Sequence, residues 1–330
     1  MEKSMTEPSA LRNLGRTGLS ISAIGLGCWQ FSRGRGFGAR VWTYVKLGEA
    51  EEIVRLSLEG GANWFDTAEA YGFGESERVL ARSLKNLKRA AGSVVIATKW
   101  FPIFRWASSL AASIGRRLEN LDGYPIDLYQ VHNPYSFSRV ETEMAAMASL
   151  VNRGQIGHVG VSNFSASQMR RAAAALGRFG LSLASNQVRY SLLDRRIETN
   201  GVLDAARELG VTIIAYSPLA QGLLSGKFHD DPGRIRKRAG YRRCTPAFRP
   251  RAMERSRPLI EAVKTVALRH RASPSQVALS WVIHNQGTIV AAIPGATTPK
   301  QAGENIEALG LQLSPEELNE LTEVSTGYRS

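Results

Sequence analysis

The chain holds only two cysteines in 330 residues, Cys28 and Cys244, too few for a disulfide framework and without the paired spacing of a zinc site. No run reaches the roughly 18 to 20 uninterrupted apolar residues of a membrane span. Residues 1–13 carry no apolar segment of the secretory type. These absences predict a cytoplasmic protein with no metal and no membrane partner. A glycine-rich dinucleotide fingerprint is missing too, because the nearest approach, Gly34-Arg35-Gly36-Phe37-Gly38, follows no strand and opens no evident helix. Acidic residues are scarce, 29 against 42 Lys plus Arg, a formal net charge of +13.

What is present is ample core material: 43% hydrophobic residues against 22% charged exclude disorder, and 31 Gly and 13 Pro are scattered rather than gathered in a tract. After a hairpin predicted from Arg12 to Ser22, eight short apolar runs recur: Ala23–Gly27, Ala62–Phe65, Ser93–Ala97, Ile126–Val131, Gly157–Val161, Ala184–Val188, Val211–Ala215 and Thr288–Ala292. Helical spacing fills the gaps between them, with helices expected over Arg257–His270, Ser275–His284 and finally Pro299–Leu309 in the last third. Strand then helix, repeated eight times with right-handed crossovers, predicts a TIM (β/α)8 barrel with an N-terminal β-hairpin and extended loops on its C-terminal face. An open doubly wound sheet is the alternative. A single domain over residues 1–330, with a flexible tail of about ten residues, is the expectation.

The positive excess is local. From Lys227 to Arg257 eleven basic residues stand against three acids, a difference of +8. Such a stretch suits either a solvated loop or a clamp for a polyanion, a nucleotide phosphate or a nucleic acid backbone. No recognition-helix pattern or stacking-sheet motif accompanies it, so a nucleic acid partner is not expected.

Polar residues recur where the predicted strands end. Asp66 to Gly72 runs off the second strand, Lys99-Trp100 ends the third, and His132-Asn133 ends the fourth. In a barrel these ends share one mouth, where active sites sit. Each residue has a bland role: Asp66 as a cap, Tyr71 as loop packing, Lys99 as a snorkelling cation, His132 as an interior histidine. Together they suggest an Asp66–Lys99 pair beside Tyr71 that favours the phenolate and lowers the tyrosine pKa, with His132 orienting a carbonyl oxygen.

Several motifs occur in order: Gly25-Leu26-Gly27, Phe65-Asp66-Thr67-Ala68 with Tyr71-Gly72, Ala97-Thr98-Lys99, Asp127 to His132, and Gly160-Val161-Ser162-Asn163-Phe164. Asn186-Gln187, Ala215 to Leu219 with Gly222-Leu223-Leu224, and Ile293-Pro294-Gly295 with Gln301, Glu304 and Asn305 complete the series. On these residues the chain resembles the aldo-keto reductase superfamily, its bacterial and plant branch, from Leu11 to about Leu321. The resemblance implies NADPH-dependent reduction of aldehydes or ketones to alcohols in a barrel without the glycine-rich fingerprint, with NADH possible. It implies a catalytic tetrad of Asp66, Tyr71, Lys99 and His132, with Tyr71 as proton donor. Ser162, Asn163 and Gln187 should then hold the carboxamide and Tyr216 stack on the nicotinamide. Ser217, Leu219, Gly222 and Leu224 should follow the diphosphate, and Gly295, Thr297, Gln301, Glu304 and Asn305 the adenosine.

The chain departs from the pattern in places. Cys28 stands where many relatives carry Thr, and Gly157-His158 replaces a commonly basic stretch. Thr297 and Thr298 stand where NADP-preferring relatives often place Lys or Arg, which leaves Lys300 and the arginine-rich stretch to meet a 2′-phosphate. Trp29, Trp42 and Trp100 are candidates for an aromatic substrate pocket. The competing reading is a nicotinamide-binding regulatory subunit with little turnover.

Overall fold

The structure, a computed structural model, describes residues 11–34, 45–237 and 245–329. Trp42, Cys244 and most of the Gly34–Gly38 segment lie outside the described residues. The hairpin forms as expected, β1 Leu11–Asn13 against β2 Ser20–Ser22. Eight parallel strands follow: β3 Leu26–Gly27, β4 Trp64–Asp66, β5 Val95–Trp100, β6 Leu128–Val131, β7 His158–Ser162, β8 Leu183–Arg189, β9 Thr212–Tyr216 and β10 Val290–Ala292. Each pairs with the next. The ends meet where the Gly25 N–H donates to Ala292 O at 2.9 Å and the Gly27 N–H donates to Pro294 O at 3.1 Å. That junction makes the sheet a closed barrel and removes the open-sheet alternative.

The strands reach further at their C-terminal ends than their apolar runs. Asp66, Lys99 and Ser162 continue the ladder as strand residues although they are polar. The first strand is instead shorter. Gly25 lies against the Trp64 indole, where an added Cβ would meet ring carbon at 2.4 Å.

Helices α1 Leu47–Glu59, α2 Glu75–Asn86, α3 Ser108–Leu121, α4 Val140–Asn152, α5 Ala166–Gly177 and α6 Val202–Leu209 connect β3 to β9 in turn. After β9 the chain runs through two single turns, α7 Lys227–Asp230 and α8 Gly233–Arg236, to α9 Pro250–Arg269 and α10 Pro274–His284. Helix α9 begins seven residues earlier than expected. Pro250 opens it, where a missing N–H costs nothing, and Pro258 sits inside rather than at the start. After β10 come α11 Pro299–Glu307 and an unexpected α12, Pro315–Val324, with Ser314 and Glu317 in a capping box.

Strand alternation sorts the core into two. Trp64, Ala97, Leu128, Ala184, Ile214 and Ala291 point inward and pack with Leu14 and Ile21 of the hairpin, which stops the bottom of the barrel. The opposite faces, including Tyr129, Val131 and Trp100, pack under the helices. Above the inner apolar layer the inward positions become polar, and the site begins there.

Candidate active site

Parallel register places Asp66 beside Ala97, Lys99 beside Gln130, and Ser162 beside Gln187. Period-two alternation aims Asp66, Lys99 and Gln130 into the barrel mouth, and a register irregularity between β7 and β8 brings Gln187 there too, although Ala184 three residues earlier also faces inward. Lys99 is 0% and Asp66 1% exposed, and the ammonium donates to Asp66 Oδ1 at 2.5 Å and to Thr67 O at 2.8 Å. Its third neighbour is the Tyr71 hydroxyl at 3.4 Å. Gln187 Nε2 and Gln130 Nε2 donate to the other oxygen, Asp66 Oδ2, at 2.8 and 3.2 Å. The buried carboxylate is thus satisfied on both sides, as a buried charge requires.

Tyr71 arrives on a loop stitched to β5. The Thr67 N–H donates to Ala97 O, the Glu69 N–H to Lys99 O, and the Glu69 carboxylate accepts from the Phe101 N–H at 3.1 Å and from Arg105 at 2.7 Å. Gly72, at φ +69°, then turns the chain, and a Cβ there would lie 2.6 Å from Ser32 O. The Tyr71 ring stacks on Trp29 at 5.9 Å and meets the edge of His132 at 5.7 Å, with Phe101 on the far side of the imidazole at 5.9 Å. His132 Nδ1 is buried with no hydrogen-bond partner among the described residues.

Burial pushes the Lys99 ammonium down, but Asp66 and Tyr71 more than offset it, so its pKa lies above the ordinary lysine value. Tyr71 behaves otherwise than expected. Desolvation raises the phenol pKa, Lys99 pulls against it, Asp66 adds to the rise, and the net shift is upward from 10.0. The expected lowering fails because the pair is nearly neutral as a unit while the loss of water is not compensated. Burial first and Lys99 second push His132 down to about 3, so the imidazole is neutral. The Cys28 thiol is held well up by burial.

A second polar set adjoins the first. The Ser162 hydroxyl donates to Gln187 O at 2.9 Å, Asn163 Nδ2 donates to Ser162 Oγ at 3.1 Å, and the Tyr216 hydroxyl donates to Asn163 Oδ1 at 3.1 Å. Through Gln187 this set joins Asp66, so both groups form one connected network. Asn163, Ser217, Ala220 and Gln221 are non-glycine residues at positive φ, 60°, 52°, 47° and 57°. Backbone strain of this kind gathers at ligand-binding segments. Leu219, Gly222 and Leu224 belong to the same turn. Farther along, the Thr297 N–H and hydroxyl both donate to Gln301 Oε1 at 2.9 Å, Asn305 Nδ2 donates to Gly295 O at 3.4 Å, and Glu304 faces Lys300 at 3.7 Å. Gly295 has a further reason to be glycine, since a Cβ would strike the Gln30 amide at 2.2 Å.

The chain matches the Aldo/keto reductase family over residues 23–326. It belongs to that family. It is therefore an NAD(P)H-dependent oxidoreductase of a family that acts on small carbonyl compounds. An uncharacterized oxidoreductase of Mycobacterium tuberculosis is 38% identical over 310 residues, 94% of this chain and 91% of that one. A probable aldo-keto reductase of Glycine max is 29% identical over 94% of this chain and 87% of its own length. Among solved structures, a thermostable aldo-keto reductase in complex with the inhibitor epalrestat aligns with a TM-score of 0.76 at 29% identity, over 95% of this chain and 99% of that one. Glycerol dehydrogenase from Gluconobacter oxydans aligns with a TM-score of 0.82 at 25% identity, over 98% and 97%.

Within this aldo/keto reductase the aromatic wall differs from expectation. Trp100 points outward into the core, 0% exposed, with its indole N–H donating to Ser109 Oγ at 3.1 Å, so it lines no pocket. It follows Lys99 directly, and neighbouring strand residues face opposite sides. Trp29 does stand beside Tyr71. Phe101 instead lies against the His132 ring, and the exposed rings of Phe104, Trp106 and Phe137 cluster in the adjoining loops. Gln130 was the other unassigned participant. Its position two residues before His132 on one strand is the signal that places both on the same face.

Proposed function

We propose that this enzyme reduces aldehydes or ketones to alcohols with NADPH, and that Tyr71 donates the proton to the carbonyl oxygen. The observation that supports this most is the buried Lys99, which contacts Tyr71 while Asp66 holds it in place. A reduced nicotinamide supplies the hydride. The residues of the chain do the rest. Tyr71, protonated at neutral pH, stands ready as the acid, and the neutral His132 edge orients the substrate oxygen. Lys99 stabilises negative charge left on the Tyr71 oxygen after proton loss, and Asp66, held by Gln130 and Gln187, keeps Lys99 charged.

The cofactor assignment rests on the connected set of Ser162, Asn163 and Gln187 for the carboxamide and on the half-exposed Tyr216 ring for stacking. The strained turn containing Ser217, Leu219, Gly222 and Leu224 suits the diphosphate, and Gly295, Thr297, Gln301, Glu304 and Asn305 suit the adenosine. NADPH preference draws on Lys300 and the arginines of the 227–257 stretch, since a 2′-phosphate gains charge-assisted hydrogen bonds from them. Trp29, Phe101 and the Phe104, Trp106 and Phe137 rings favour carbonyl compounds with flat or apolar bodies. A panel of aromatic and aliphatic aldehydes and ketones, assayed with NADPH and NADH in parallel, tests the reading. Turnover of aromatic aldehydes with NADPH is expected. Absence of nicotinamide binding by the purified protein sinks it.

A further inference from the structure

The proposed chemistry leaves a second set of buried charges without a role. Glu77 of α2 and Arg117 of α3 are both buried, with Arg117 Nε 2.9 Å from Glu77 Oε2. Glu77 also accepts from Asn120 Nδ2 at 2.8 Å and from the Thr98 hydroxyl at 2.7 Å. Arg117 reaches on to Glu69, whose Oε1 lies 3.3 Å from Arg117 Nη1 and 2.7 Å from Arg105 Nη1. Two acids therefore balance two arginines, and the cluster offers no net charge to a ligand. Its place in the chain is what gives it meaning: Thr98 precedes Lys99, and Glu69 stands two residues before Tyr71.

Glu69 continues a ladder that the backbone leaves unfinished. The Thr67 N–H donates to Ala97 O and the Glu69 N–H to Lys99 O. At the next rung the loop has turned away, and the Phe101 N–H donates to the Glu69 carboxylate at 3.1 Å instead of to a carbonyl. Glu69 thus grips β5 on both sides of Trp100, by its own N–H and by its side chain. The other end of the loop is tied to α2, where the Ser76 N–H donates to Tyr71 O at 3.1 Å and the Thr67 hydroxyl donates to Ser76 Oγ at 2.8 Å. Between these anchors the Tyr71 hydroxyl meets Lys99 Nζ at 3.4 Å. That is the long end of a hydrogen bond, so a small slip of the loop along the strand would break it.

We propose that Glu69 is a positioning residue for proton transfer: its carboxylate, held by Arg105 and Arg117, locks the Tyr71 loop to β5 and so sets the contact between the Tyr71 hydroxyl and the Lys99 ammonium. The inference rests on the proposed role of Tyr71 as the acid, and Glu69 acts through that residue. Removing its side chain strands no buried charge. Arg117 keeps Glu77, and the partly exposed Arg105 keeps Phe101 O at 3.1 Å and Ser109 Oγ at 3.0 Å. Glu69→Ala therefore folds.

The test is a double-variant cycle on the rate of hydride transfer, read in a single turnover from the loss of NADPH absorbance with an active aldehyde. Parent, Glu69→Ala, Tyr71→Phe and the double variant are compared. Glu69→Ala should slow the parent by about 10²-fold, the effect of misplacing a reacting group by roughly 1 Å. In the Tyr71→Phe background the same change should cost less than about threefold, because the group it positions is gone. Aldehyde KM and NADPH affinity should hold in Glu69→Ala. Equal slowing in both backgrounds would show a merely structural role and overturn the proposal, as would an unchanged rate or a raised aldehyde KM with no loss of rate. Slow Tyr71→Phe with fast Glu69→Ala refutes this inference alone, whereas fast Tyr71→Phe refutes the proposed acid and this inference with it.

Discussion

Lys99→Met should unfold the enzyme more easily by about 3 to 5 kcal/mol, the cost of leaving one partner of a buried ion pair alone. Methionine keeps the length and apolar stem of lysine, so little packing is lost. What disappears is the ammonium with its bonds to Asp66 at 2.5 Å and Thr67 O at 2.8 Å. Asp66, 1% exposed, then keeps only the amides of Gln130 and Gln187. Adding Asp66→Asn removes the stranded charge and leaves an oxygen for one of those amides. The double variant should therefore recover about 2 to 3 kcal/mol relative to the sum of the single losses, a coupling of the size found between contacting residues. Urea unfolding followed by tryptophan fluorescence, on the parent, both single variants and the double, measures it. A Lys99→Met loss below about 1 kcal/mol, or strict additivity, would refute the claim that the pair is a mutually dependent buried unit.

Other perturbations test separate parts of the account. Burial raises the Glu143 carboxyl to about 7, against the pull of the Ser136 hydroxyl. Above the unfolded value of 4.5 the folded state binds the proton more tightly, so stability falls as pH rises towards 7. Glu143→Gln should accordingly gain roughly 2 to 3 kcal/mol over the parent at pH 8 in urea melts. His132, pushed down to about 3, has the opposite sign: its contribution is intact above about 6.5 and is lost as pH falls through about 3. Acid melts should show less loss across that window in His132→Gln. Because the Tyr71 pKa is raised rather than lowered, alcohol oxidation should keep accelerating up to about pH 10, while carbonyl reduction stays level from pH 6 to 8. A pH–rate profile in both directions checks this. Trp100→Ala should cost about 3 to 5 kcal/mol as a core cavity with KM nearly unchanged, whereas Trp29→Ala should raise KM for aromatic aldehydes with little loss of stability.

The barrel was legible because its strands are short apolar runs at regular intervals, and all eight form near their expected places. Strand ends were less clear: Asp66 and Lys99 look like loop residues by polarity, yet the ladder carries them. Helix α12, opened by the capping box of Ser314 and Glu317, is unexpected because its weakly apolar segment resembles a tail. Side-chain direction was the main loss in the site. Trp100 lies next to a loop of the C-terminal face, which suggests a pocket residue, but strand parity sends its ring the other way. The Tyr71 shift was read from the nearest charge alone. Desolvation, which depends on Trp29 and the surrounding loops, decides its sign and is invisible to motif spacing.

The central claim is that Tyr71 supplies the proton as hydride arrives. Tyr71→Phe removes only the hydroxyl and leaves the ring stacked on Trp29, 5.9 Å away. With an active aldehyde and saturating NADPH, its kcat should fall by about 10²- to 10⁴-fold, the usual range for a positioned acid, and NADPH affinity should hold. Turnover close to that of the parent enzyme at several pH values would contradict the account.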